Sequence, residues 1–230
     1  MLIFTKMLQK KIHAIFHFNF IDRIVKAKRV EILNLIKNEL DLKLVKDCLD
    51  IGTTEDSSFE SSNYIINNIP VKRKKSLSNQ NISSRGFDST LVTSITENLK
   101  GKELESFRSD LVISSAVIEH VGSFKNQRKM IENMIKLSKK YVVFTTPNKF
   151  HPIEFHTKIF LLHWLPNRLF ARILKILGFE FFSKEENLNL LSKKQLNKLT
   201  FRLTDSFEFK IYFVRLFFFK SNFIVIGYKK

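Results

Sequence analysis

Apolar positions along the chain switch between a helical and a strand period. Residues 23–40 place Val30, Leu33, Ile36, Lys37 and Leu40 on one side at helical spacing, which predicts a helix. Residues 44–51 form a largely apolar run that stops at Gly52, and they predict a first strand. The polar stretch 53–68 predicts a short helix ended by Pro70. Residues 74–78 and 91–95 predict a second and third strand around a polar loop or frayed helix over 79–90, and 98–103 predict a surface turn. The most regular stretch is 109–148. Residues 110–114 and 141–146 are short β-branched runs of the kind buried on both faces of a sheet. Between them Ser123 predicts an N-cap for a helix that carries Met130, Ile131, Met134 and Ile135 on one face, with Lys136, Lys139 and Lys140 in its last turns. A strand–helix–strand unit of this length predicts a parallel pair joined by a right-handed crossover.

After Asn148 the pattern changes. Residues 149–178 are aromatic, basic and rich in histidine, with interruptions at Pro152 and Pro166. Residues 167–177 predict a helix with Arg168, Arg172 and Lys175 on one side, Phe170, Ile173, Leu174 and Leu177 on the other, and Gly178 as its cap. Ser192 and Gln195 form a capping-box pattern for a helix to Leu199. Residues 207–219 and 221–228 predict an antiparallel pair of strands. The sum is an α/β domain over 23–230, built on a mostly parallel sheet with one antiparallel strand and helices on both faces. Residues 149–191 form a lid insertion after the fifth strand, and 1–22 an amphipathic lead-in. Ligands of such open sheets bind beyond the carboxyl ends of the strands, which directs attention to Glu119, His120 and residues 145–148.

Composition narrows the picture. Hydrophobic residues make up 44% of the 230, enough for a packed core and too many for a disordered chain. A net charge of +17 suits an anionic partner, but the lysines are scattered, and the basic cluster 72–75 has no aromatic interleaving for stacked bases. The charge therefore reads as solvated surface, and against nucleic acid as partner. Cys48, the one cysteine, lies inside a strand, which predicts a buried inert thiol and fits a reducing, cytoplasmic setting. No apolar run of about 20 residues predicts a membrane span, and the N-terminal residues, broken by Lys and His, do not read as a signal peptide. The basic helix after Phe160–Pro166 reads as a lid helix. Its alternative is peripheral contact with the inner face of a membrane through 158–177.

Three motifs carry a resemblance. CLDIGTT (48–54) resembles the first motif of class I S-adenosylmethionine-dependent methyltransferases, a hydrophobic strand ending in D-x-G-x-G-x-G. AVIEHV (116–121) is similar to the loop after that family's fourth strand, and TTPN (145–148) to the end of its fifth. The longer runs 51–64 and 145–166 resemble a bacterial subgroup acting on small molecules. The resemblance implies S-adenosylmethionine as cofactor and methyl transfer to a small-molecule or glycan- or lipid-linked acceptor. It implies a cofactor site at Asp50, Gly52, Thr53 and Asn79, flanked by Glu119 and His120. A glycine after the strand lets the cofactor approach the backbone, Asp50 is placed to accept from its ammonium, and the next amides suit its carboxylate. A sulfonium is already an activated donor, so positioning and a base for a hydroxyl acceptor suffice.

The chain departs from the motif where Thr54 and Asp56 stand in place of glycines and Asn79 and Gln80 in place of the ribose-binding acid. Those departures keep open a degenerate relative that serves as a binding or scaffold protein, and the charge keeps open an RNA methyltransferase. His151, Glu154 and His156, with His163 nearby, are the candidates for a general base on the acceptor side. With no cysteine partner and irregular spacing, these residues predict no metal site.

Overall fold

The computed structural model describes residues 18–55, 60–82, 86–201, 203 and 205–230. Its centre is a seven-stranded sheet in the order β3-β2-β1-β4-β5-β7-β6. The strands are β1 (Asp47–Ile51), β2 (Arg73–Ser78), β3 (Ser89–Val92), β4 (Ser109–Ser115), β5 (Ser138–Pro147), β6 (Phe207–Leu216) and β7 (Phe219–Lys229). Neighbours from β3 to β5 pair in parallel, while β7 runs antiparallel to both β5 and β6. The expected mostly parallel sheet with one antiparallel strand is therefore the observed one.

The helices are α1 (Phe18–Glu39), α2 (Tyr64–Asn68), α3 (Gly101–Phe107), α4 (Phe124–Leu137), α5 (Asn167–Ile176) and α6 (Lys193–Phe201). Strand alternation divides the core between two faces. Cys48, Leu111, Ile113, Val143, Ile224 and Ile226 pack with Ile32, Leu33 and Ile36 of α1 and Ile65 and Ile66 of α2. Leu49, Val112, Val142 and Val225 point the other way, against Phe107 of α3, Met130, Ile131 and Met134 of α4, and Leu196 and Leu199 of α6. Cys48 is fully buried, and burial pushes its thiol pKa well up, as an inert thiol requires.

Two caps appear where the sequence places them. Ser123 accepts from the amide of Asn126 at the start of α4. The amide of Gln195 donates to Ser192 Oγ, while Gln195 Oε1 accepts from the amide and hydroxyl of Ser192. Other expectations shift. The first strand starts at Asp47 behind a 3-10 turn over Leu42–Leu44, the third lies at Ser89–Val92, and 101–107 is the helix α3 rather than a continuation of the expected turn. Helix α1 begins five residues before the expected 23, at Phe18, and the rest of the lead-in lies outside the described residues. Lys139 and Lys140 do not close a helix: Ser138 turns the backbone extended and both belong to β5. There Lys139 and Lys140 face Asp47 and Asp110 at 3.8 and 3.4 Å. Asp47 also meets Arg73 and Lys75, so this basic cluster lies at the amino ends of the strands, opposite the expected site.

After β5 the chain makes an excursion over 149–191. Phe170 and Leu174 of α5 pack with Leu188 and Leu190 in a small core of their own. Its ends are pinned: Asn148 donates its amide to Ser221 O and its side-chain Nδ2 to Lys220 O, and the Lys149 amide donates to Leu191 O. The last residues of the excursion bond the loop after β4, where the Asn189 amide donates to Glu119 O at 2.7 Å and Asn189 Nδ2 to Gly122 O at 2.8 Å. The excursion thus borders the carboxyl ends of β4 and β5.

Candidate active site

Two clefts meet at the carboxyl end of β1. One, of about 380 Å³, is lined by Gly52, Asn79, Ser94, Thr96, Val117 and His120 among others. The other, of about 250 Å³, runs between Arg29, Asp50, Asn63 and Ser115. They share Ile51, Gly52, Thr54, Ala116 and Val117, so they form one trough across the strand end, of a size suited to a small molecule.

Gly52 is the hinge of the trough. It takes φ +83, a left-handed conformation that L side chains rarely adopt, and a Cβ there would stand 2.4 Å from Cγ2 of Val117. The glycine is required by the chain's own packing before any ligand is considered. Asp50, 6% exposed, accepts from the Thr53 hydroxyl at 2.6 Å, and Thr53 Oγ1 in turn accepts from Ser76 at 2.8 Å. Thr53 is buried and orients Asp50. Burial raises the Asp50 carboxyl to about 6, against the lowering effects of the Thr53 bond and of Arg29.

The loop beyond is clamped in place of the missing glycines. Asn63, itself left-handed at φ 52, accepts from the Thr54 amide at 3.2 Å and donates to the Thr54 carbonyl at 2.7 Å. The Gly52 amide donates to Leu77 O. Neither amide is directed at the trough. Asn79, exposed just past β2, lines it. Arg29 reaches in from α1 to donate to the Ser115 hydroxyl, and its charge is felt by both Asp50 and Glu119. Sequence reasoning missed Arg29 and Asn63: each reaches the site from outside the three short motifs, Arg29 from a helix and Asn63 from the start of α2.

Beyond β4 lies a second group. Glu119 is fully buried, accepts from Thr146 Oγ1 at 3.0 Å through Oε2, and leaves Oε1 without a partner among the described residues. His120 donates from Nδ1 to Asn187 O at 2.6 Å, since a carbonyl only accepts. His156 meets Glu154 Oε1 through Nδ1 at 2.7 Å. Glu154 also accepts from the amides of His156 and Thr157 and from the Thr157 hydroxyl. These bonds hold its carboxyl down at about 2 and, through its charge, hold the His156 imidazole above its ordinary value against burial. The rings of His120 and His156 meet edge to face at 4.7 Å. His156 lines a further cavity of about 200 Å³ between α1 and the end of β5, with Arg29, Ala116, Pro147 and Phe155.

His151 goes elsewhere. It is 2% exposed, its Nδ1 sits in a local turn with Ile153, its carbonyl accepts from His163 Nε2, and its ring stacks on Phe155. Of the three candidates for a base, the structure brings Glu154 and His156 together and leaves His151 in the packing of the excursion.

The strand order β3-β2-β1-β4-β5-β7-β6, with β7 reversed, differs from the all-parallel dinucleotide-binding sheet. It is the class I methyltransferase fold. No family model and no curated protein matches the chain by sequence. Solved structures do match in fold. The chain is similar to magnesium protoporphyrin IX methyltransferase from Synechocystis PCC 6803, solved with bound SAH, at TM-score 0.55 and 12% identity over 94% of this chain and 89% of that one. It is similar to a SAM-dependent methyltransferase from Methanosarcina mazei at TM-score 0.52 and 13% identity, over 85% and 96% of the two chains. A Rhodobacter sphaeroides protein described as a Zn-dependent alcohol dehydrogenase matches at TM-score 0.57 and 12% identity, over 90% and 98%. Likeness at these identities fixes the architecture and leaves the reaction to the site.

Proposed function

We propose that the protein binds S-adenosylmethionine in the trough across Gly52 and transfers its methyl group to a small-molecule acceptor. The observation that carries this reading is the continuity of the trough past Asp50, Gly52 and Asn79, the positions the first motif and the second strand end supply. Asp50 would hold the cofactor's ammonium, Asn79 would accept from a ribose hydroxyl, and Ser94 and Thr96 would border the base. The cofactor supplies an activated methyl on sulfur. The chain then has to align it with the acceptor.

The acceptor would enter by the cavity at Arg29, Phe155 and His156. Its size and mostly apolar walls favour a small molecule, or the small end of a glycan- or lipid-linked one. His156, fixed through Nδ1 by Glu154, lines that cavity and would offer Nε2 to the acceptor. The described helices contain no segment long and apolar enough to cross a membrane.

Calorimetric titration of the full chain with S-adenosylhomocysteine tests the reading. Wild type should bind with micromolar affinity. Asp50→Asn and Asn79→Ala should each lose about tenfold, roughly 1.4 kcal/mol. A folded wild type that binds neither S-adenosylhomocysteine nor S-adenosylmethionine overturns it and leaves a scaffold on the same fold.

A further inference from the structure

We propose that Glu119, His120 and His156 form a binding site for one first-row divalent metal ion between the cofactor trough and the acceptor cavity. One ligand atom from each lies within 4.8 Å of those of the other two. Two features argue that this is a built site rather than a chance meeting of polar side chains.

The first is the state of the donors. Glu119 is fully buried, and its Oε1 has no hydrogen-bond partner among the described residues. A buried carboxylate oxygen left unpaired is costly unless a cation completes it. Its other oxygen is steadied by Thr146 at 3.0 Å. Arg29 feels the charge of Glu119 but donates its guanidinium to Ser115.

The second is the orientation of the rings. Asn187 O takes Nδ1–H of His120 at 2.6 Å, and Glu154 takes Nδ1–H of His156 at 2.7 Å. In the neutral form each ring then has its free lone pair on Nε2. A carbonyl or carboxylate behind the imidazole is the usual arrangement that fixes a metal-binding tautomer. Glu154 is itself held by the Thr157 amide and hydroxyl, each at 2.6 Å, so the support is rigid.

Two imidazole nitrogens and one carboxylate oxygen suit a borderline ion such as Zn²⁺, Co²⁺ or Fe²⁺, and disfavour Mg²⁺ and Ca²⁺, which prefer oxygen. Ligand atoms about 2.1 Å from a tetrahedral ion stand about 3.4 Å apart, so loading draws the rings in by about an ångström. Three protein ligands leave at least one position open.

His120 lines the cofactor trough and His156 the acceptor cavity, so the open position falls between them. An acceptor hydroxyl bound there would lose its proton to water more readily. Its oxygen lone pair would form the bond to the methyl carbon as the carbon–sulfur pair returns to sulfur, leaving a neutral thioether. This use of the ion rests on the methyl-transfer reading; the binding of the ion does not.

The test is a titration of the chelator-treated full chain with Co²⁺, read by its d–d absorption, followed by displacement with Zn²⁺. One ion per chain with intense bands of low coordination number is expected, bleached by Zn²⁺ and untouched by Mg²⁺. Glu154→Gln should weaken binding by roughly 10–100-fold, and His156→Ala and Glu119→Gln by more. If Glu119→Gln fails to fold, His156→Ala, at a partly exposed position, decides the matter. A folded wild type without stoichiometric Co²⁺ binding overturns the proposal, as does binding that survives in both Glu119→Gln and His156→Ala. Titration with S-adenosylhomocysteine separates the two readings: metal uptake without cofactor binding keeps the site and removes methyl transfer, and the converse removes the site alone.

Discussion

Val117, in the loop after β4, closes directly over Gly52 at the end of β1: a Cβ on the glycine would stand 2.4 and 2.9 Å from the two methyl carbons of the valine. The floor of the trough is therefore made by two strand ends gripping each other. Gly52→Ala should destabilise the protein by about 2–4 kcal/mol, combining left-handed strain with overpacking. Adding Val117→Ala should return the packing part, giving a coupling of about 1–3 kcal/mol in urea melts. Strict additivity of the two changes would mean that the contact is not real.

Asp50 makes a different prediction, in pH. Its folded value of about 6 lies above the ordinary carboxylate value of 3.8. Stability from this group is complete below pH 4 and falls as pH rises to about 6, because the unfolded chain ionises first. Asp50→Asn keeps an acceptor for Thr53 and removes the charge, so the free protein should gain up to about 3 kcal/mol at pH 7–8 and lose that slope. Asp47 has the opposite sign. Its pKa is held below the ordinary value against burial, by the Asp110 amide first and then by Lys139 and Lys75. Its contribution is present above pH 4 and fades as acid protonates it. Denaturant melts at several pH values read both.

Asn63 holds the Thr54 peptide by two hydrogen bonds from a left-handed backbone. Asn63→Gly keeps the backbone and removes the clamp, whereas Asn63→Ala removes the clamp and adds strain. Both should weaken S-adenosylhomocysteine binding several-fold, and the alanine variant should be less stable than the glycine one by about 1 kcal/mol. Equal melting of the two variants would show that the left-handed turn carries no strain.

Glu154 accepts four hydrogen bonds from His156 and Thr157 with almost no exposure. Replacing it with Ala should cost about 3–5 kcal/mol in thermal or urea melts, as removal of one partner from a buried, charge-assisted network does. A loss under 1 kcal/mol would mean that water takes its place freely.

Much of this architecture is legible in the amino-acid pattern. The centres of the runs that became β1, β4 and β5 are buried on both faces, so each carries a short block of apolar residues that reads as a strand. Asp50 and Gly52 are legible because the end of a buried strand and a glycine coincide. Lys139 and Lys140 misled because helical spacing continued past Ser138, while the carboxylates they answer, Asp47 and Asp110, are far away in the chain. Helix α3 begins on a glycine with few apolar residues, so its local signal is that of a turn. In the site, Glu119 and His120 stood out as polar residues past a strand, but what they share with His156 depends on how the excursion returns. Its Asn187 and Asn189 bond back to the β4 loop. Arg29 sits on a helix full of cations, and nothing local distinguishes the one that meets Ser115, 86 residues on.

The reversed strand β7 lies between β5 and β6, with Ile224, Val225 and Ile226 fully buried. A chain emerging from the ribosome must therefore hold β5 as an open edge through the whole excursion and both following elements. Only when residues 219–229 arrive can the middle of the sheet close. Until then β5 offers unpaired amides and carbonyls beside Val143 and Phe144, a template for pairing with a neighbouring nascent chain. Translation that stalls within the hairpin should yield aggregates rather than a shortened fold, and yield in cells should depend on how quickly β7 is made.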